Sequence, residues 1–378
     1  MRATAPDTPL TADYDGLVCD LDGVVYRGGE AVPGAPESLQ ALVSRHIRLV
    51  YATNNASRVP AEVVDQLSAL GAPATADDVV TSAQAGAARL AERLPAGVRV
   101  LALGGPGVAE ALTDAGLVPV LPAAVAFDDG SASANRQAGG DVPAREVAAV
   151  LQGLGRKVSV ADFEIAARLL ADDGLVWVGT NDDATLPLPW GQAPGNGAYL
   201  DLLASAAGRR PDVVGKPHPP LYRLALARLG TSAARTLAVG DRLGTDVAGA
   251  QAAGLDSAWV LTGVDGPVEL LATDCSPTYV LASLRELLLP YAVPQPHAGG
   301  WRCGGAEAAY DDGELSVRQG SPNAVETVRA GLAALVEARD AGAPTARLQR
   351  AARALDHSLE QALTDEHDVH EGESERTG

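Results

Sequence analysis

Residues 16–26 read Gly16-Leu17-Val18-Cys19-Asp20-Leu21-Asp22-Gly23-Val24-Val25-Tyr26, an apolar run interrupted by Asp-x-Asp-Gly. The first part predicts a strand, and the glycine allows a tight turn whose N–H groups suit an anion. Alternate side chains of a strand point the same way, so Asp20 and Asp22 share a direction where the strand ends. Mg²⁺ would relieve the repulsion between the two carboxylates. On its own, the stretch predicts an acidic turn equally well.

Length and composition set the class of protein. A chain of 378 residues with 47% hydrophobic residues predicts a soluble protein of two or three domains. There is no apolar run of about 18 residues, and Met1 to Tyr14 has no signal-peptide core, so no membrane association is expected. Three widely spaced cysteines (Cys19, Cys275 and Cys303) predict neither a zinc site nor a disulfide framework, which favours a cytoplasmic location.

The charge of the chain limits its partners. A formal net charge of −19 argues against nucleic acid as a partner and favours divalent cations. The acidic tail over residues 364–378 is predicted to be disordered. Only two lysines occur, Lys157 and Lys216. The oligomeric state is open, with a homo-oligomer among the alternatives.

Strand and helix patterns alternate along the chain, as in a parallel sheet with covering helices. The pattern begins with a helix over 36–44 and a strand over 48–52, and a second α/β pattern occupies residues 82–209. It resumes at Asp212 and is predicted to end in a helix over 281–289. A Pro-rich linker over 290–296 precedes a predicted hairpin around Asp311-Asp312-Gly313 and two predicted helices, over 323–340 and 345–363. Residues 126–143 are predicted to form a loop.

Polar residues follow four predicted strands. Ligands bind at the carboxyl ends of strands in parallel sheets, so these residues are expected to meet. They are Asp20 and Asp22, Thr53 and Asn54, Lys216, and Asp241 with Asp246. Covalent phosphoryl transfer needs a carboxylate nucleophile, a metal, a lysine and hydroxyl for the phosphoryl oxygens, and a second carboxylate that moves protons.

In this order, Asp20-Leu21-Asp22-Gly23, Thr53-Asn54-Asn55, Gly215-Lys216-Pro217 and Gly240-Asp241-x-x-x-Thr245-Asp246 resemble the four motifs of the haloacid dehalogenase-like (HAD) superfamily of hydrolases. The resemblance implies a Mg²⁺-dependent phosphatase that acts on a small-molecule phosphomonoester. It implies that Asp20 is the nucleophile and a metal ligand, and that Asp22 is the general acid/base with its backbone carbonyl on the metal. Thr53, Asn54 and Lys216 would bind phosphate. Asp241 and Asp246 would complete the metal site, although Asp246 could instead cap a helix.

The insertion between the second and third motifs resembles a narrower group. Gly179-Thr180-Asn181 and Ala193-Pro194-Gly195-Asn196-Gly197 are similar to the type IIA cap of nitrophenylphosphatase-like enzymes. Gln152-Gly153 and the C-terminal extension are most similar to actinobacterial glycerol-3-phosphate phosphatases, which implies a role in glycerophospholipid metabolism. One departure affects specificity: Gly155 stands where many relatives carry an Asp that contacts substrate.

Together, these features predict an α/β fold with a Rossmann-like, doubly wound parallel sheet as its core, an inserted α/β (type II) cap and a small α+β extension. The predicted boundaries are 1–80 and 210–290 for the core, 81–209 for the cap and 297–363 for an acetyltransferase-like extension.

Several alternatives remain. The substrate could be phosphoglycolate, pyridoxal phosphate, a nucleoside monophosphate or nitrophenyl phosphate, and a non-enzymatic phosphate- or ligand-binding regulator is a different class. Leu103-Gly104-Gly105-Pro106-Gly107 lacks the GxGxxG spacing of a dinucleotide loop and is interpreted as a turn of the cap. Arg58 and His218 lie beside motifs but are expected to satisfy carboxylates or solvent.

Overall fold

The computed structural model describes residues 8–127, 142–188, 190–318 and 324–356. The predicted acidic tail, most of the predicted loop over 126–143 and the end of the predicted helix over 345–363 lie outside these residues. Within them, no helix is both long and apolar enough to cross a membrane.

The first half of the core alternates strands and helices as predicted. Leu17 and Cys19 in the first strand pack into one apolar cluster and Val18 into another, so the strand is buried on both faces. The helices begin at or next to prolines, where the missing N–H costs nothing. The elements are β1 (Gly16–Cys19), β2 (Tyr26–Arg27), β3 (Glu30–Ala31), α1 (Ala35–Ser44), β4 (Arg48–Thr53), α2 (Pro60–Ala69) and β5 (Val79–Thr81).

The inserted cap has its own sheet. Its elements are α3 (Ser82–Ala91), β6 (Arg99–Leu103), α4 (Pro106–Asp114), β7 (Val118–Val120), β8 (Val125–Ala126), β9 (Val142–Pro143), β10 (Val147–Gln152), α5 (Val160–Leu170), β11 (Val176–Gly179), β12 (Thr185–Leu188), β13 (Gly191–Pro194), α6 (Asn196–Ala207) and β14 (Asp212–Val213). The five strands of the sheet pair in parallel in the order β14-β11-β10-β6-β7. The predicted cap boundary at residue 209 is therefore too early, because β14 pairs with β11.

Glycines allow the backbones of the cap and the core to approach each other closely. A Cβ atom on Gly105 would lie 2.7 Å from the carbonyl oxygen of Ser57 in the core, and one on Gly107 would collide with the carbonyl oxygen of Arg58. On the other side, a Cβ on Gly215 would lie 2.5 Å from the carbonyl oxygen of Thr180 in the cap. We call these three glycines the glycine seam. The turn over 103–107 thus packs the cap against the core, in agreement with its interpretation as a cap turn.

The chain then returns to complete the core sheet. The added elements are α7 (Pro219–Leu229), β15 (Thr236–Gly240), α8 (Ala248–Ala252), β16 (Asp256–Val260), α9 (Pro267–Leu271) and β17 (Tyr279–Leu281). The six core strands are parallel, in the order β17-β16-β15-β1-β4-β5. A five-residue π-helical turn, Leu243–Val247, directly precedes α8.

The predicted last helix over 281–289 is wrong. Leu281 ends the edge strand β17, which pairs with β16, and only a short 3₁₀ turn follows at Leu284–Leu288. Leu284 and Leu287 are three residues apart, a spacing that a 3₁₀ turn places on one side, and both are buried in the core. Strand pairing and this burial together override the local helical pattern.

The C-terminal extension is an antiparallel sheet with helices on one side. Its elements are β18 (Gln295–His297), β19 (Gly300–Cys303), β20 (Ala306–Asp311), β21 (Glu314–Arg318), α10 (Ala324–Asp340) and a further helical stretch over 345–356. The predicted hairpin is formed by β20 and β21. Arg329 of α10 is buried, donates to the carbonyl of Val280 at 2.8 Å and to Glu286 at 3.0 Å, and so fixes the extension to the core.

Candidate active site

The predicted strand-end residues meet at the carboxyl edge of the core sheet. Asp20 follows β1, Thr53 ends β4 and Asp241 follows β15, and these strands are parallel neighbours in the order β15-β1-β4. Lys216 enters from the segment between β14 and α7. All of the predicted site residues line one cavity of about 490 Å³ between core and cap.

Three carboxylates form a cluster suited to a divalent cation. One oxygen atom from each of Asp20, Asp241 and Asp246 lies within 4.8 Å of the others. Burial, and after it the charge of the neighbouring Asp246, raises the pKa of Asp241 to about 7. The N–H of Val264 donates to Asp241 at 2.8 Å and orients it. This all-oxygen donor set fits Mg²⁺.

Lys216 balances part of this negative charge. Its ammonium donates to Asp20 at 2.5 Å, to Asp246 at 2.7 Å and to the carbonyl of Ala52 at 3.0 Å, and its side chain is 4% exposed. Although burial opposes its charge, Asp20 and Asp246 raise the pKa of Lys216 well above its ordinary value. The lysine is therefore a fixed cation beside the Asp20 carboxylate, which is where a phosphoryl group would be held.

Asp22 lies apart from the carboxylate cluster and faces the cavity. Its side chain is accessible, yet the surrounding protein desolvates it and raises the pKa of its carboxyl. The turn that presents it requires glycine: Gly23 has φ +81°, and a Cβ atom there would lie 2.5 Å from an Asp241 carboxylate oxygen. A carboxyl group with a raised pKa that faces open space can donate a proton and take one back.

The side chains of Thr53 and Asn54 have different contacts in the site. Thr53 lines the cavity, and its hydroxyl accepts the N–H of Asn55 at 3.1 Å. The side-chain oxygen of Asn54 accepts the N–H of Lys216 at 2.8 Å, and its amide donates to the Lys216 carbonyl at 3.0 Å and to Asp183 at 3.1 Å. The Asn54 side chain therefore holds the lysine loop, and the predicted phosphate contact by Asn54 now rests on its backbone.

Asp246 does not have the geometry of a helix cap. It lies inside the Leu243–Val247 turn, where one carboxylate oxygen accepts the N–H of Arg242 at 3.1 Å and the other accepts from Lys216. An N-cap side chain would instead bond to N–H groups of residues that follow it. The structure therefore favours the metal-site interpretation of Asp246 over the capping alternative.

The two charged residues beside the motifs have protein partners, and that of His218 is a carboxylate, as expected. Arg58 donates to Gln66 and to the carbonyl of Glu62. His218 lies 3.1 Å from Asp182, across the boundary between core and cap.

Sequence reasoning missed the cap residues of the site. Asp183 bonds to Asn54, burial raises the pKa of its carboxyl, and it lines the cavity. The amide of Asn181 donates to the Asn54 carbonyl at 2.7 Å. Arg156 lines the cavity from the loop after β10. Asp183 could have been found from sequence, because Asp182-Asp183 closely follow the strand that ends at Gly179. No sequence pattern pointed to Arg156.

Comparison with known proteins agrees with this geometry. A profile of haloacid dehalogenase-like hydrolases matches residues 17–118, and a HAD-hydrolase-like profile matches residues 213–287. The D-glycerol 3-phosphate phosphatase of Mycobacterium tuberculosis is 39% identical over 342 residues, which cover 88% of either chain. The chain belongs to the haloacid dehalogenase-like hydrolases. The glycerol-3-phosphate phosphatase of Gallus gallus is a further HAD relative, 36% identical over 74% of this chain and 92% of its own.

Solved structures of HAD phosphatases share both core and cap. That of the M. tuberculosis glycerol phosphate phosphatase in complex with magnesium has a TM-score of 0.70 at 34% identity, covering 90% of this chain and 98% of that one. A double mutant of the thermostable NPPase from Geobacillus stearothermophilus has a TM-score of 0.61 at 30% identity, covering 72% and 97%. The predicted fold class and the predicted identity as a HAD phosphatase of the nitrophenylphosphatase-like branch are confirmed.

Proposed function

We propose that this chain is a Mg²⁺-dependent glycerol-3-phosphate phosphatase that releases glycerol and phosphate through an aspartyl-phosphate on Asp20. The observation that carries the proposal is the position of the Asp20 carboxylate, held by the Lys216 ammonium and grouped with Asp241 and Asp246 beside the accessible acid Asp22. The M. tuberculosis and Gallus gallus relatives support the choice of substrate.

In the first step, an Asp20 carboxylate oxygen attacks phosphorus and the bond from phosphorus to the ester oxygen breaks. Asp22 gives its proton to the departing glycerol oxygen. In the second step, Asp22 takes a proton from water as the water attacks phosphorus, and the Asp20–phosphorus bond breaks to free phosphate. Lys216, Thr53 and the Asn54 backbone bind the phosphoryl oxygens. Mg²⁺ held by Asp20, Asp241, Asp246 and the Asp22 carbonyl would supply neutralising positive charge.

The setting of the reaction belongs to the same proposal. A place in glycerophospholipid metabolism follows from the substrate. The three cysteines are free thiols, which is consistent with a reducing cytoplasm. The net charge of −19 disfavours nucleic acid as a partner.

The test is a phosphate-release assay on glycerol 3-phosphate, phosphoglycolate, pyridoxal phosphate and a nucleoside monophosphate, with Mg²⁺ or with a chelator. We expect glycerol 3-phosphate to be the best substrate and chelation to stop release. A flat response to all four compounds with Mg²⁺ present would favour the ligand-binding regulator instead.

The matched variant is Asp20→Asn, which removes the nucleophile and keeps the side-chain shape. We expect turnover to fall by more than about 10³-fold with the circular dichroism spectrum unchanged. Asp65→Asn, on the exposed face of α2, is the control and should retain full activity. Substantial activity of Asp20→Asn would refute the aspartyl-phosphate mechanism.

A further inference from the structure

One cation lines the cavity from the cap side. Among the described lining residues contributed by the cap, Arg156 is the positively charged one; the others there include Leu154, Thr185, Leu186 and Leu188. These residues line the same cavity as Lys216 and Thr53 of the core. A leaving group that extends from a phosphate held by the core into the part lined by the cap meets the side of the cavity that Arg156 lines.

Backbone packing determines which residue of this loop reaches the cavity. The loop after β10 reads Gly153-Leu154-Gly155-Arg156. A Cβ atom on Gly155 would lie 2.5 Å from the carbonyl carbon of Gly104, and the Leu154 carbonyl accepts the N–H of Gly105 at 3.1 Å. Any side chain at position 155 would collide with this main chain, so the next residue supplies the polar group of the loop.

The guanidinium of Arg156 is available to a ligand. Its side chain is exposed, and within the described ranges no hydrogen bond or ion pair engages it. Two other cavity cations have protein partners: Arg27 donates to the carbonyl of Thr262, and Lys216 donates to Asp20, Asp246 and the carbonyl of Ala52. Arg242 also lines the cavity, but it belongs to the core, in the segment between Asp241 and Asp246.

We propose that Arg156 binds oxygen acceptors on the leaving group of the substrate, and so selects substrates for the reaction of the proposed function, on which this inference rests. A guanidinium offers five N–H donors and no acceptor. It suits the hydroxyl oxygens of a glycerol unit or a carboxylate in their place. The neighbouring leucines suit the carbon backbone of a short leaving group.

The kinetic test compares wild type with Arg156→Ala on glycerol 3-phosphate, phosphoglycolate and phenyl phosphate, whose leaving group has no further oxygen. We expect KM for the first two to rise and kcat/KM to fall about 10–100-fold, the range for a lost charged hydrogen bond. Phenyl phosphate should change by less than about threefold on the same reasoning. A larger loss with phosphoglycolate identifies a carboxylate as the preferred acceptor, and a larger loss with glycerol 3-phosphate identifies hydroxyls.

Two further variants sharpen the comparison. Arg156→Lys keeps the charge and should recover part of the loss. Lys157→Ala removes the adjacent exposed cation, which is absent from the cavity lining, and should behave as wild type. An equal loss on all three substrates, or no loss on any, would overturn the proposal.

A binding measurement separates this inference from the proposed function. In the Asp20→Asn background with Mg²⁺, calorimetry compares glycerol 3-phosphate, phosphoglycolate and inorganic phosphate with and without Arg156→Ala. We expect the substitution to weaken both organic ligands and to leave inorganic phosphate unchanged. If wild type releases no phosphate but this pattern appears, the catalytic proposal fails, and Arg156 is shown to bind the organic part of a phosphate-containing ligand. Unchanged affinity for both organic ligands overturns the Arg156 proposal.

Discussion

The Lys216 ammonium donates three hydrogen bonds within the protein, to the carboxylates of Asp20 and Asp246 and to the carbonyl of Ala52. Its backbone is fixed as well, because Asn54 bonds to both its N–H and its carbonyl. A buried ammonium held at both ends loses little entropy when a phosphoryl group arrives. The lysine is therefore preorganised beside Asp20, and a ligand exchanges one set of oxygen acceptors for another without moving it far.

Asp22 is the residue for which the two chemical steps can be separated. With nitrophenyl phosphate the leaving group needs no proton, so Asp22→Asn should still transfer the phosphoryl group to Asp20. Activation of water should fail. We expect a burst of about one nitrophenolate per enzyme, followed by turnover reduced by about 10²–10⁴-fold. Rapid-mixing absorbance measurements check this, and near-normal steady-state turnover would reject the role of Asp22.

Asp20, Thr53 and Asp241 could be predicted from sequence because they end or follow strands of the core sheet, and parallel strands bring their carboxyl ends to one edge. Lys216 reaches that edge from the segment after β14 of the cap sheet.

The position of the cap residues in the cavity could not be predicted in this way. Asp183 and Arg156 reach the cavity only because glycines let the cap approach the core. Asn54 was placed near the phosphate by its motif, but its amide holds the Lys216 loop. Contacts of that kind depend on tertiary packing, which a short pattern does not encode.

At the scale of elements, α10 packs behind the segment that carries two of the clustered carboxylates. Leu332 and Leu335 share an apolar cluster with Leu243, Val247 and Trp259. The two residues of the π-helical turn flank Asp246, and the Trp259 indole donates to the Asp241 carbonyl at 3.1 Å. The extension therefore supports the loop that presents Asp241 and Asp246.

Leu332→Ala should weaken this support. We expect a loss of about 2–5 kcal/mol in the free energy of unfolding, since a buried leucine leaves a cavity. The Mg²⁺ concentration for half-maximal activity should rise roughly tenfold, because substitution of residues that position metal ligands weakens metal binding. Urea denaturation and a Mg²⁺ titration of activity measure the two effects.

Leu203→Ala is the matched control, because Leu203 is equally buried but lies in the apolar cluster of the cap. It should cost similar stability and leave the Mg²⁺ dependence unchanged. An equal shift in both variants would mean that the extension has no particular link to the carboxylate cluster.

Element types were predictable where periodicity and burial agree, as in β1, β4 and α1. The failure over 281–289 has a physical cause. Leu281 completes an edge strand, and Glu286 accepts the N–H of Ala282 at 2.6 Å while pairing with Arg329 from the extension. The helical pattern of that segment was overridden by partners more than forty residues away, such as Arg329.

At the scale of the whole molecule, the described site is built from core and cap, with the extension behind it. Deleting residues 364–378 should therefore leave kcat and KM for glycerol 3-phosphate unchanged, because the described residues contain every group assigned to the reaction. Steady-state assays of the truncated chain check this. A loss of turnover would show that the tail takes part in function.

The glycine seam sets how closely the core and the cap approach each other. Where main chain meets main chain, the distance between the two halves of the cavity is set by positions that have no functional group. A methyl group at Gly107 would collide with the carbonyl oxygens of Arg58 and Ala56 and would have to push the cap away from the core, which changes the width of the cavity without altering Arg156 or Asp20. Substitutions in the glycine seam can thus change the size of leaving group that such an enzyme accepts, although the seam does not contact the leaving group.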